Sequence, residues 1–156
     1  MKKIVILICI LAFSMTLISC STDNNKTSQS DQQTYTGYIS LKGDTLDIDD
    51  FEFITSEDKE RVQELKLTDI DMPSGYYIHN ETEDVKSFTL DENTQYTFYD
   101  ISNLFVKEED DKKYITTNRQ EFETFLYRGT DVPIRTPFEI VTQGDQVISI
   151  TEIFVN

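Results

Sequence analysis

The chain reads as an α+β domain: a curved antiparallel sheet or small open β-barrel with two short helices, in the order β-β-α-β-β-β-α-β-β. Three observations predict this. Apolar residues after residue 35 recur mostly at every second position, the period of a half-buried strand. Lys42-Gly43 and Gly144-Asp145 each lie between two such runs, as hairpin turns do. Two segments carry helical spacing, and neither links strands into an evident βαβ unit.

Taken in order, "YTGYISL" and "DTLDIDDFEFI" flank Lys42-Gly43 as the first two strands. In the second, Leu46 and Ile48 alternate, then Phe51 and Phe53 continue one place out of step. A β-bulge at Asp49-Asp50 would restore a single buried face. "TSEDKERVQELKL" follows, with Thr55 or Ser56 as cap, acids in the first turn, and Val62 and Leu65 on one face. It predicts a short, mostly exposed helix. After the Pro73-Ser74-Gly75 turn, residues 76–80, 86–90 and 94–99 read as a three-strand meander joined by "ETED" and "DEN". "KEEDDKK" is then a solvated loop tip. In "TNRQEFETFLYRG", Asn118 and Glu121 form a capping box, Phe122, Phe125 and Leu126 share one face, and Gly129 stops the helix. "PFEIVT" and "QVISITEIFV" close the domain as a hairpin.

The amino terminus has a different character. Lys2 and Lys3 precede an apolar run at residues 4–18, which ends in "LISC" with Cys20 last. This is the layout of a secretory signal peptide, and the run is short for a spanning helix. "LISC" resembles the lipobox of bacterial lipoproteins: an aliphatic residue, a tolerant position, a small residue, then cysteine. The resemblance implies diacylglyceryl transfer to the Cys20 thiol and cleavage between Ser19 and Cys20. It implies acyl chains such as palmitate on Cys20 and residence on the extracytoplasmic side of the cell membrane. Two chains anchor stably, at about 0.8 kcal/mol per buried CH₂, where one is marginal. Cys9 would leave with residues 1–19 and Cys20 would carry lipid, so the mature domain would hold no thiol.

"STDNNKTSQSDQQT" follows without one apolar side chain, the composition of a polar tether. As a flexible coil it would span on the order of 20 Å. The expected organisation is therefore a signal peptide at 1–19, lipidated Cys20 with its linker at 20–34, and a single domain at 35–156. "LDIDDFEFITSEDKERVQEL", "DMPSGYYIHN" and "GDQVISITEIFV" also make the domain similar to small lipoproteins of Gram-positive bacteria without an assigned activity. That similarity implies an extracytoplasmic domain and no substrate. The hairpins resemble those of oligonucleotide/oligosaccharide-binding barrels, at the level of fold alone.

The net charge of −15 excludes whole classes of partner. Nucleic acid needs patches of Lys and Arg, and this surface repels phosphate. The acidity favours a soluble monomer. A cationic partner or a divalent metal is the sharper reading of the same charge.

Four candidate sites follow from residue types. His79 is the only histidine, close to Tyr76 and Tyr77, and alternation puts Tyr77 and His79 on one face as a possible contact surface. A general base needs a partner for its proton, and no second His, free Cys or Gly-x-Ser-x-Gly elbow exists here. The structural reading, a strand residue near the Glu81-Glu83-Asp84 turn, is the simpler one. Calcium is suggested by "DTLDIDD" and "TDIDMPSG", yet neither has the Gly and Glu spacing of a helix-loop-helix calcium loop. Asp47 and Asp49 instead fit the solvated face of a strand. With 29 acids, a carboxylate pair at hydrolase spacing arises by chance. Tyr35, Tyr38, Tyr76 and Tyr77 suit either an exposed platform or ordinary packing. No catalytic residue, metal ligand or cofactor is assigned. The expected function is a lipid-anchored, extracytoplasmic binding or interaction domain for a protein, a wall component or a cation. The alternatives are a small surface hydrolase working through carboxylates and a calcium-dependent surface module.

Overall fold

In the computed structural model, residues 32–82 and 84–155 are described, and they form two sheets and two short helices. The strands are β1 (Gln32–Lys42), β2 (Thr45–Asp50), β3 (Glu52–Thr55), β4 (Tyr76–His79), β5 (Val85–Thr89), β6 (Gln95–Tyr99), β7 (Lys113–Thr116), β8 (Phe138–Gln143) and β9 (Gln146–Glu152). The helices are α1 (Lys59–Glu64) and α2 (Arg119–Tyr127). Seven strands make a curved mixed sheet in the order β5-β2-β1-β8-β9-β6-β7, while β3 and β4 pair as a separate ribbon.

β1 organises the curvature. Its first half pairs with β8, its second half with β2, and Gly37 is shared, facing Phe138 on one side and Asp50 on the other. A side chain at Gly37 would place its Cβ 2.5 Å from the Asp49 carbonyl oxygen. Only glycine lets three strands converge there. The curl brings the edge strand β5 to β9 at one parallel pair, Thr89 with Gln146. The partners Lys42, Thr45, Thr89, Gln146, Gln143 and Gln32 then run once around five strands and return to β1 ten residues before the start. Beyond that pair, β6 takes over the edge of β9, in parallel, at residues 149–151.

Inside the curl, Ile39, Leu46, Ile48, Ile140, Val147 and Ile150 meet Tyr96 and Phe98 of β6. Helix α2 closes the core from one side. Phe122 stacks on Tyr96 at 4.5 Å between ring centres, and Phe125 on Phe98 at 4.1 Å. Such pairs add about 0.5–1.5 kcal/mol each beyond area burial. Arg119 fastens the start of α2 to the β1–β2 turn through Asp44 and the Gly43 carbonyl. Near the other end, the Tyr127 hydroxyl bridges the Leu41 N–H and C=O.

Several expectations change. The sheet is mixed rather than antiparallel, because β6 and β5 both lie parallel to β9. β1 starts at Gln32, three residues ahead of Tyr35, because Gln32, Gln33 and Thr34 continue the ladder to Gln143, Thr142 and Val141. No bulge occurs at Asp49-Asp50. The chain leaves the large sheet there, so Leu46 and Ile48 enter the main core while Phe51, Ile54 and Met72 are buried outside that cluster. The bulge sits instead between Val141 and Thr142. β4, β5 and β6 are not a meander: β4 pairs with β3, β5 with β2, and β6 with β7 and β9. The four-residue β7 after the acidic loop was not expected. α1 has no side-chain cap; Thr55 donates to Asp58 instead, through both its N–H and its hydroxyl. The α2 capping box is half formed. Asn118 accepts from the Gln120 N–H, but Glu121 turns to the hydroxyls of Thr116 and Tyr114.

Among the described residues, no helix is long and apolar enough to cross a membrane. The expected signal peptide at 1–19 and the expected lipidation site Cys20 lie outside the described residues.

Candidate functional site: the outer face of β1, β2 and β5

Strand alternation builds this site. Leu46 and Ile48 point inward, so Asp47 and Asp49 point out, as the sequence implies. The register of β1, β2 and β5 sets two rows across the sheet. One runs Tyr38, Asp49, Val85; the other runs Ser40, Asp47, Ser87. Together with Lys42 and the Ile39 backbone between them, these side chains line an open groove of about 520 Å³, a volume within the usual range of small-ligand sites.

The acidic groups of the groove are individually satisfied. Asp47 accepts from the Ser87 hydroxyl at 2.7 Å and from Lys42 Nζ at 3.0 Å. The Ser87 bond, with help from Lys42, holds the Asp47 carboxyl below the usual range against the opposing effect of burial. Asp49 accepts from the Asn80 amide at 3.0 Å. The Tyr38 ring is fixed by the Phe51 ring at 4.7 Å and by the Arg135 guanidinium, 4.6 Å from its centre. Tyr38 and Val85 thus add apolar surface to a face of hydroxyls, carboxylates and one ammonium group.

The contact surface expected at Tyr77 and His79 is a separate feature on β4. Both side chains are half-buried, and their rings lie 6.3 Å apart on one face, as alternation predicts. Tyr77 faces Ile54 of β3, and His79 faces Glu52. His79 Nε2 is 3.0 Å from Glu81 Oε1 without meeting hydrogen-bond geometry. Glu52 is engaged elsewhere, by Arg61 at 2.7 Å. Tyr76 stacks on Phe53 at 5.0 Å, packing within the ribbon. A smaller hollow lies against Asp71, Pro73, Ser74, Tyr76, Tyr77 and Ile78. His79 does not line it, so the structure does not join His79 and Tyr77 into one concave site.

Among the described residues, no three His, Cys, Asp or Glu side chains converge as metal ligands. The aspartates of "DTLDIDD" accept from separate partners: Asp44 from Arg119, Asp47 from Lys42 and Ser87, Asp49 from Asn80, and Asp50 from Lys86 at 2.5 Å. Asp71 of "TDIDMPSG" accepts from the Thr68 N–H and hydroxyl, an ordinary turn closure.

Asp47, Asp49 and Tyr38 are visible in the sequence as outward strand residues or candidate platform residues, but the groove they share is not. What was missing was the register. It depends on β5 joining β2 across the intervening residues 51–84, and that pairing leaves no local pattern. Comparison with protein-family models, curated proteins and solved structures finds no match for this chain.

Proposed function

We propose that the chain is a lipid-anchored, extracytoplasmic binding domain that presents the groove of β1, β2 and β5. The anchor is a diacylglyceryl group on Cys20, and the membrane is that partner. The observation that carries the reading is the order along the chain: Lys2-Lys3, an apolar run, "LISC", then a polar stretch leading into β1 at Gln32. A chain held on two acyl chains through such a tether keeps an acidic domain close to the bilayer without needing a basic membrane face.

In this reading the five strands of the ring form a small, partly open barrel, with β6 and β7 as an extension. The neighbour order β1-β2-β5-β9-β8, with α2 between β5 and β8 in the chain, supports an analogy to a five-stranded Greek-key barrel of the oligonucleotide/oligosaccharide-binding type. Its second and third strands, here β2 and β5, carry the ligand face in that architecture. This is analogy at the level of fold, and the groove's own chemistry supports it independently. A carboxylate hydrolase is less well supported. A general acid needs a raised pKa, and Asp47 is held low by Ser87 and Lys42. Nucleic acid is disfavoured by a net charge of −15.

The test is replacement of Cys20. Cells expressing the full chain are labelled with an alkyne analogue of palmitate and fractionated. Wild type takes the label and sediments with membranes. Cys20→Ala takes none and is not processed at residue 20. Equal labelling and equal sedimentation of the two would overturn the anchor.

A further inference from the structure

We propose that the free edge of β7 takes an extended, basic segment of a partner protein as an added strand. This surface is separate from the groove, because β7 and β5 stand at opposite ends of the strand order. It goes beyond the groove reading and does not depend on it.

The phase of the ladder shows which groups are on offer. Among the described residues β7 pairs with β6 alone. The Asp100 N–H donates to the Lys112 carbonyl at 2.8 Å, one step beyond the last paired residues, Tyr99 and Lys113. Antiparallel strands alternate hydrogen-bonded and non-hydrogen-bonded pairs. Tyr114 and Thr116 therefore bond to β6, while Lys113 and Ile115 turn their N–H and C=O to the free edge. Asp111 takes the Lys113 N–H at 3.0 Å. The N–H and C=O of Ile115 are the pair left for a new strand. No register shift and no proline interrupts β7, so neither device turns this edge away from a partner.

The side chain at the same position supplies apolar surface. Ile115 is 54% exposed, opposite Thr97 on the outer face of the sheet. An added strand lies about 4.8 Å away, and its residue opposite Ile115 points to the same face. A β-branched residue there covers the isoleucine, as cross-strand pairs do within a sheet.

Charge selects the occupant. Residues 107–112 lead into β7 with four acids against two lysines, and Lys112 is held by Asn103 and by the Lys107 carbonyl, both at 2.6 Å. On the other flank, Glu121 lies against β7, accepting from the Thr116 hydroxyl at 2.7 Å, and Arg119 is paired with Asp44 and Glu123. Lys113 is the one charge on the strand itself. An uncharged centre with lysines or arginines at both ends complements this pattern. A second copy of the chain does not, since it brings the same acidic flanks and a net charge of −15 of its own.

The experiment uses the full chain in detergent micelles and capped, fluorophore-labelled peptides: KKVTVTVKK, its acidic counterpart EEVTVTVEE, and KKVTVTVKK N-methylated at the central valine. Binding is read by anisotropy, and its place by hydrogen exchange over residues 113–117. KKVTVTVKK should bind saturably, more weakly in 0.5 M salt, and slow exchange in that segment. Ile115→Pro removes an N–H that the β6 ladder does not use, a substitution edge strands admit. It should weaken binding about tenfold or more while the melting temperature stays close to wild type. N-methylation of the peptide should weaken binding as much, with the protein unchanged. Glu109→Lys with Asp110→Lys should reduce both the binding and its salt dependence. Failure of KKVTVTVKK to bind, equal binding by the acidic peptide, binding that survives both backbone blocks, or protection confined to other strands overturns the proposal. So does a wild-type dimer in sedimentation that Ile115→Pro dissolves, because it gives the edge to a second copy.

Discussion

Asp100 is the group whose removal should unbalance the fold most visibly. It follows β6, is almost wholly buried, and its carboxylate accepts three backbone N–H bonds, from Leu104 at 2.8 Å, Phe105 at 2.6 Å and Val106 at 2.9 Å. Those bonds fold residues 101–106 back so that Phe105 can stack on Tyr114 at 5.1 Å and meet Phe98 at 5.8 Å. Asp100→Ala deletes three charge-assisted bonds, each contributing roughly 1.5–3 kcal/mol when made to a buried charge. The loop is only part-buried, so water can recover some of the loss. A net destabilisation of about 3–4 kcal/mol is expected, a large share of a typical total of about 5–15 kcal/mol. Burial pushes the Asp100 carboxyl up, but the three N–H bonds and Lys112 outweigh it and hold the folded-state pKa below the ordinary value. A depressed carboxylate contributes stability above its unfolded pKa, about 3.9, and loses it as pH falls through the lower folded value. The gap between wild type and Asp100→Ala should therefore be full at pH 7 and narrow below about pH 4. Urea unfolding of both proteins at pH 7, 5, 4, 3 and 2.5 measures it, with Asp100→Asn, which keeps one acceptor oxygen, expected in between. A gap under about 1 kcal/mol at pH 7, or one that stays constant to pH 2.5, would refute the reasoning.

Two further outcomes can be checked on the same preparations. Gly37→Ala should destabilise by about 1–3 kcal/mol, because its Cβ would meet backbone at 2.5 Å where three strands converge, and a chemical-denaturation midpoint unchanged from wild type would contradict that. Glu152 accepts from the Tyr99 N–H at 2.7 Å, yet burial pushes its carboxyl above the ordinary range despite that bond and the nearby Arg128. A raised acid costs stability as pH climbs from its unfolded value, about 4.3, through the folded one. Glu152→Gln keeps an acceptor for Tyr99 and should flatten that decline, so its urea midpoint should gain on wild type between pH 4.5 and 7; parallel curves would count against it.

The two halves of the structure were legible to different degrees. Residues 119–127 announce a helix because Phe122, Phe125 and Leu126 fall on one face, and all three are buried as that spacing requires. Leu46, Ile48, Tyr96 and Phe98 announce inward strand positions in the same way, and all four are in the core. β7 escaped notice because its four residues, "KYIT", directly follow a charged loop and only half-bury their side chains. The break after Asp50 looked like a bulge because one extra residue has the same local signature as a change of sheet. For the groove, the outward placement of Asp47 and Asp49 could be read from alternation, but their neighbours Ser87 and Val85 could not.

By itself, the amino-acid sequence determined the period of α2 and of most strands, the hairpin turn at Gly144-Asp145 and, displaced by one residue, the one that forms at Gly43-Asp44, the acidic charge, and the amino-terminal pattern ending at Cys20. These are properties of neighbouring residues, and local sterics and hydropathy specify them. Only the tertiary structure decided that β5 joins β2, that β6 lies parallel to β9, and that Gly37 is the point about which the sheet curls. Strand pairing is a contest among all exposed edges, decided by which arrangement buries Tyr96, Phe98 and the α2 face together. That burial is a property of the whole chain, and so is the groove it leaves on the outside.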